Sequence, residues 1–366
     1  MRLYFQIMVE VRTWFSFDTE YSACSVEAKG SLVATGTYQV VKVNEEKGDN
    51  DKAEEEEESP ETKRLGRVYL HRVKRDGDGK LTVEKVCSRE SKAVLDMKWA
   101  PGRQQRLAVA DAGGQLTLFR IEGDNEESRN FEMVLEGTCK TTPGLALSLD
   151  WAASGELVVV SDSKGEVVVV RLGEAGMEEE RRLAGHSYEA WTAAFSRTDQ
   201  NTIFSGGDDC VFNMWDLRAD EIKPIKRNTR EHNMGVTTVL GDSAREERVM
   251  TGSYDEKVRC WDFRNFKCPV WEVGVGGGVW RIKQRGSRLL VGAMHDGFKV
   301  LEEEQGGGGC KIVEEYKEHE SLAYGADWVE DFCESDLESE SDSGAWQTAA
   351  TCSFYDHIMK IWSIRC

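Results

Sequence analysis

Ser205-Gly-Gly-Asp-Asp-Cys-Val-Phe-Asn-Met-Trp-Asp216 and Thr251-Gly-Ser-Tyr-Asp-Glu-Lys-Val-Arg-Cys-Trp-Asp262 align without a gap. Each follows a histidine, His186 or His232, and thirty residues separate that histidine from the closing aspartate in both copies. Four side chains recur at matching places: a histidine, a Ser/Thr hydroxyl, a turn carboxylate and a tryptophan. They are His186, Ser205, Asp209 and Trp215 in the first copy, and His232, Thr251, Asp255 and Trp261 in the second. Such a set closes into one hydrogen-bonded unit, and two ungapped copies are a strong sign of internal repetition.

The pattern is that of the WD repeat, and weaker copies fill the chain. Residues 93–99, 106–110 and 115–119 read as three short strands separated by turn residues; 145–151, 156–161 and 166–172 repeat the arrangement. So do 278–283, 288–293 and 297–301. The last copy runs from His319 to Trp362 and the first begins at Tyr21, which makes seven. Inner strands are predicted to start near 23, 94, 146, 190, 236, 279 and 324. The last five are spaced by 44, 46, 43 and 45 residues, matching the roughly 40–45 of a four-stranded blade. The sequence therefore predicts an all-β fold, a single seven-bladed WD-repeat β-propeller over residues 1–366. One blade buries only part of its faces, and closing the ring covers the rest. The last copy ends after its third strand, so a strand predicted over 3–12 supplies the missing outer strand and latches the ring.

Composition agrees. The chain has 366 residues, 40% hydrophobic and 9% aromatic, enough apolar material for a packed core but too long for one ordinary core. Its net charge of −19 is concentrated: residues 45–61 hold ten acidic residues against two lysines, and 330–342 hold seven acidic residues with no basic one. These runs repel themselves and are read as solvated, disordered inserts, 45–64 in the first blade and 330–344 in the last. The acidity argues against nucleic-acid backbone binding and against docking on anionic lipid. No apolar run reaches the roughly 18–20 residues of a bilayer span, and the opening Met1 to Glu10 is too polar for a signal peptide. A cytoplasmic, monomeric protein is expected. Ten scattered cysteines include no CxxC, which gives no metal ribbon or redox pair and suggests buried thiols.

A propeller does not fix a function, so the site must come from residues. There is no Gly-x-Ser-x-Gly elbow, no phosphate loop and no His-Glu-x-x-His helix. The blade pattern aims at the top face the residue before the turn aspartate (Asp208, Tyr254, Tyr355) and those near the inner-strand starts (Glu189, Trp191, Trp280, Arg281, Tyr324). One blade breaks the repeat. Counting back six from Leu301 puts His295 where the others hold the turn aspartate, unless a one-residue shift gives that slot to Asp296. A histidine there cannot act as the carboxylate, but it titrates near neutrality. His357, after the turn Asp356, reads as a strand-start residue or a substrate contact.

Gly277-Gly-Val-Trp-Arg281, Met294-His-Asp-Gly-Phe298, Ser321-Leu-Ala-Tyr-Gly-Ala-Asp-Trp328 and Cys352-Ser-Phe-Tyr-Asp-His357 go beyond the generic repeat. With Asp18-Thr-Glu-Tyr-Ser-Ala23 and Gly36-Thr-Tyr-Gln-Val40 they give the whole chain a pattern that resembles the diphthine methylesterase family of the diphthamide pathway. The resemblance implies a carboxylic ester hydrolase without a cofactor or metal. Its partner would be translation elongation factor 2 carrying methylated diphthine, whose freed carboxylate an ATP-dependent ligase then amidates. Ester hydrolysis needs a nucleophile, a base and oxyanion donors. The corresponding expectation is water attack assisted by His295, with Arg281 or a tyrosine (Tyr254, Tyr324, Tyr355) polarising the carbonyl. Glu189 and Asp327 would hold the trimethylammonium beside Trp191 or Trp280. A covalent route through Ser253, Ser353 or Cys352 is the alternative mechanism. The rival class is a non-enzymatic adaptor, because Trp215-Asp-Leu-Arg218 and Trp261-Asp-Phe-Arg264 resemble the Trp-Asp-x-Arg box of cullin-type ubiquitin-ligase substrate receptors.

Overall fold

The computed structural model describes residues 10–42, 62–76, 80–123, 131–330 and 346–365. β-Branched runs such as Val158-Val-Val160 and Val167-Val-Val-Val170 favour strands, and in the third blade they pair in register, Val158 with Val170 and Val160 with Val168. Seven such four-stranded antiparallel sheets form. They span 22–92, 94–140, 146–184, 192–228, 236–274, 281–316 and 323–365, the last completed by Glu10–Asp18. Inner strands begin at Ser22, Val94, Ala146, Thr192, Val236, Arg281 and Ala323, within two residues of the sequence expectation. Apolar clusters fill the spaces between neighbouring sheets, so the core is a ring of interfaces.

Glycine decides how closely the blades approach. A Cβ on Gly206 would stand 2.4 Å from Val236 of the next inner strand, and one on Gly252 would stand 2.2 Å from Val279. The Ser-Gly and Thr-Gly pairs of the repeat are thus packing requirements.

The histidine unit closes as read in the first copy. His186 bonds Asp209 at 2.9 Å and Ser205 at 2.8 Å, and the Trp215 indole donates to the same Ser205 hydroxyl at 2.9 Å. The second copy departs from it. His232 bonds Thr251 at 2.9 Å, as does Trp261, but Asp255 turns to Arg259 at 2.8 Å and His232 Nδ1 has no partner among the described residues.

The ring closes with an N-terminal strand: of the strand expected over 3–12, residues 10–12 belong to Glu10–Asp18, and residues 1–9 lie outside the described ones. Its continuation to Asp18 follows the side chains. Trp14, Phe15 and Phe17 cover the seventh-to-first blade junction, and the Trp14 indole donates to Ser363 at 2.9 Å. The acidic segments lie mostly outside the described residues. The first was expected over 45–64, yet residues 62–64 belong to Thr62–Arg75 and pair with Lys42, Val41 and Val40. The acidic run ends at Glu61, and Lys63 and Arg64 continue the hairpin. Of the described cysteines, Cys24, Cys260 and Cys352 are buried, whereas Cys268 is exposed.

Candidate active site

Loops leading into the inner strands and loops between second and third strands share one end of the ring, called the top. Trp191 immediately precedes Thr192–Phe195, Trp280 precedes Arg281–Arg285, and Tyr254 follows Arg248–Ser253. Their rings meet pairwise: Trp191 and Tyr254 at 6.3 Å and 86°, Trp191 and Trp280 at 5.8 Å and 64°, Tyr254 and Trp280 at 6.1 Å and 39°. The Trp191 indole donates to the exposed Asp208 carboxylate at 3.0 Å. Asp208 is anchored in turn by its own N–H, which donates to the Glu189 carbonyl at 2.8 Å. Glu189 itself is half-buried, and its carboxylate makes no ion pair among the described residues. Burial raises the Tyr254 hydroxyl pKa, with neighbouring Tyr324 and Asp208 adding to the effect.

The wall continues around the ring. Tyr324 lies 4.8 Å from Trp280, Phe354 lies 4.8 Å from Tyr324, and the exposed Tyr355 meets Phe354 edge-on at 5.0 Å. Tyr38 of the first blade tilts toward Phe354 at 6.3 Å. Burial pushes the Tyr324 hydroxyl up to about 12. Sequence reasoning did not assign Phe354 or Tyr38, though both sit inside strings it had singled out; the signal was an aromatic at the same rim position in successive blades.

His295 is exposed at this rim and lines a cavity of about 550 Å³ with Tyr355, Lys317, Glu320 and Ser321. Register settles which residue fills the turn slot. Gly292 pairs with Phe298 as Gly252 pairs with Val258, so His295 occupies the backbone place of Asp255. The charge role passes to Asp296, whose carboxylate meets Lys299 at 2.7 Å, as Asp255 meets Arg259. The histidine of the unit is also replaced. Three residues before the close-packed Gly278-Val279, where the fifth blade has His232, stands buried Val275. With no imidazole in this blade and Asp296 holding Lys299, the turn slot is left to the exposed His295.

Arg281 and Asp327 are placed differently from the sequence expectation. Both point into the central channel, where ion pairs run continuously across the ring. Arg281 meets Asp96 at 3.0 Å, and Lys98 bridges Asp96 at 3.1 Å and Glu27 at 2.8 Å. Lys283 then bridges Glu27 at 2.6 Å and Asp327 at 3.2 Å. Burial works against the Arg281 charge, but Asp96 and Glu27 outweigh it and raise its pKa. Burial pushes Asp327 up to about 6 despite Lys283. Asp327 also accepts the Ala28 N–H at 2.8 Å. These two side chains are committed to joining blades, because a buried ion needs a partner. No hydrogen bond links His295 to Arg281 or Tyr324 among the described residues.

The remaining candidates have structural partners. His357 takes the left-handed turn conformation at φ 61°, and its carbonyl accepts the Thr19 N–H and hydroxyl, anchoring the chain after the latch strand. Ser353 is buried between His319 and Asp356, and Ser253 is buried with its hydroxyl on the Met234 carbonyl. Burial pushes the Cys352 thiol up to about 12, the wrong direction for a nucleophile. Arg218 folds back on Asp216 at 2.8 Å and Arg264 on Asp262 at 2.5 Å, so both Trp-Asp-x-Arg arginines are locally paired. Among the described residues no group of three His, Cys, Asp or Glu could hold a metal ion, and no helix is long and apolar enough to cross a membrane.

The family model for the WD domain, G-beta repeat, matches residues 177–216 and 223–262. Over 349 residues the chain is 33% identical to a Mus musculus protein named diphthine methyltransferase, covering 87% of this chain and 69% of that one. A Dictyostelium discoideum protein named diphthine methyltransferase homolog is 30% identical, covering 94% of this chain and 96% of that one. The Homo sapiens diphthine methyltransferase is 33% identical, covering 85% and 73%. A chain of the solved structure titled "Crystal Structure of Mitotic Checkpoint Complex" superposes with a TM-score of 0.68, covering 99% of this chain and 94% of that one. At 15% identity that likeness shows the fold alone.

Proposed function

We propose that this chain, which belongs to the diphthine methyltransferase family, hydrolyses the methyl ester of methylated diphthine on translation elongation factor 2, in the cytoplasm. The observation that carries the reading is His295: an exposed imidazole at the top-face rim, lining one cavity with Tyr355, in a turn slot that blades of the ordinary pattern give to aspartate.

In this reading water attacks the ester carbonyl while His295 takes its proton, and the Tyr355 hydroxyl donates to the tetrahedral oxyanion. The intermediate collapses, the methoxide leaving group recovers the proton from His295, and methanol departs. The carboxylate left behind is ready for amidation by an ATP-dependent ligase. Tyr324 and Trp280 belong to the aromatic wall of the same top face, and Arg281, paired with Asp96 in the channel, ties blades together beneath that face. No cofactor enters the route.

The relatives' names speak of methyl transfer, and one experiment separates the two reactions. Purified protein is incubated with methylated-diphthine elongation factor 2 without any methyl donor, and the factor is weighed by mass spectrometry. Loss of one methyl with release of methanol is the expected result. A methyl gain that requires an added donor would replace hydrolysis by transfer. His295→Ala should lower the rate at least about a hundredfold, the usual worth of a positioned base, with its melting curve unchanged. Near-normal turnover would remove His295 from the mechanism.

A further inference from the structure

We infer that the central channel binds a free tetrahedral oxyanion, inorganic phosphate, between the guanidinium groups of Arg281 and Arg197. The site lies apart from the top-face cavity of His295 and takes nothing from the ester reading. A second cavity, of about 200 Å³, runs along the channel. Its walls come from the inner strands of blades two to six, from Thr192 and Arg281 at strand starts to Arg197 and Ser243 past strand ends. Inner strands start at the top, so Arg197, with 37% of its side chain exposed, marks a mouth at the opposite end.

Four cations, Lys98, Arg197, Arg281 and Lys283, face this cavity against two carboxylates, Asp96 and Asp150. Hydrogen bonding decides which of the six are available. Both lysines are held, Lys98 by Asp96 and Glu27, Lys283 by Glu27 and Asp327. Asp96 also accepts the Met97 and Leu149 N–H groups at 3.0 and 3.1 Å, and Asp150 accepts the Phe195 N–H at 3.0 Å. The two guanidinium groups are left with donors to offer. Arg281 gives Asp96 one nitrogen, Nη2, at 3.0 Å, while its buried Nε has no partner among the described residues. Arg197 stands 3.7 Å from Asp150, beyond hydrogen-bond length. A buried N–H without an acceptor is costly, and the planar guanidinium fork matches phosphate oxygens. Thr192 adds a hydroxyl donor, since its oxygen already accepts the Val239 N–H at 3.2 Å. The chain also makes room for Arg197: a Cβ on Gly241 would stand 2.8 Å from its Cγ. Size sets the ligand class. The cavity is several times what one water needs, yet smaller than the roughly 300–1,000 Å³ of pockets for drug-sized ligands. It suits a free oxyanion and excludes a nucleotide.

The test is calorimetric titration of the full chain with sodium phosphate, at an ionic strength held constant with sodium chloride. Phosphate should bind saturably, one per chain, and adenosine monophosphate should not bind. Arg197→Gln, at the mouth, should weaken phosphate at least about tenfold and leave the melting curve without phosphate unchanged. Arg281→Lys keeps a charge opposite Asp96 but removes the fork, and it should weaken phosphate as much; Thr192→Val serves in its place if that variant does not fold. Heat that never saturates, or binding indifferent to Arg197→Gln, would overturn the site. Weakening by Arg197→Gln alone would put the anion on the outer surface and overturn the channel placement. Adenosine monophosphate binding as tightly as phosphate would overturn the assignment to the free ion.

Discussion

His71 shows how one side chain records a cost inside the fold. It is fully buried, neither ring nitrogen has a hydrogen-bond partner among the described residues, and Phe17, Phe15 and Tyr69 surround it at 4.7, 6.0 and 6.4 Å. Burial first, and Lys85 second, lower its pKa to about 4. A buried polar group without a partner costs about 1–3 kcal/mol. His71→Leu, of similar size, should therefore raise stability at pH 7 by about 1 kcal/mol in urea unfolding; a loss of stability would show that the imidazole has an unseen partner. His295 is the opposite case, a histidine without structural duty. Its oddity was legible because the repeat supplied the comparison, but the matching loss at Val275 was not, since valine in a loop announces nothing until the blades are superposed.

At the scale of the element, the repeat motif is legible because it serves backbone geometry. Gly252 pairs with Val258 while its α-carbon faces Val279 of the next blade. Gly252→Ala would push a methyl to 2.2 Å from Val279 and 2.7 Å from Thr238. Overpacking of this kind costs about 1–3 kcal/mol, and the urea midpoint should fall accordingly without loss of the β spectrum. A substitution without effect would mean the blades slide apart freely. What periodicity could not give was the far partner of each inner-strand side chain. Alternation says that Arg281 and Lys283 share one face of a strand. It does not say that the face is the channel, or that Asp96 and Glu27 reach across from other blades. How far the latch strand runs was hidden for a similar reason: residues 3–18 are rich in strand formers throughout, and its reach to Asp18 is set by the junction that Trp14, Phe15 and Phe17 cover.

The ring as a whole should be sensitive to mild acid, and the sign can be worked out group by group. His71, His232 and His319 have folded pKa values of about 4, 3 and 3, all lowered chiefly by burial, against about 6.5 unfolded. Between those values the unfolded chain binds the extra protons, so their stabilisation is full above pH 6.5 and is lost as pH falls toward the folded values. Asp327 acts in the other direction. Its pKa of about 6 lies above the unfolded value of about 3.9, so the folded state holds the extra proton between those limits. Three histidines against one carboxyl leave roughly two protons net near pH 5, a slope of about 3 kcal/mol per pH unit. The urea midpoint should thus drop steeply from pH 6.5 to 4.5, and His71→Leu should remove about one proton from that slope. The three histidines lie in blades one, four-to-five and six-to-seven, so their loss strikes the circle at separated joints, and it should open cooperatively rather than fray at one blade. An equal midpoint at pH 7 and pH 5 would show that these imidazoles are hydrated in the folded ring.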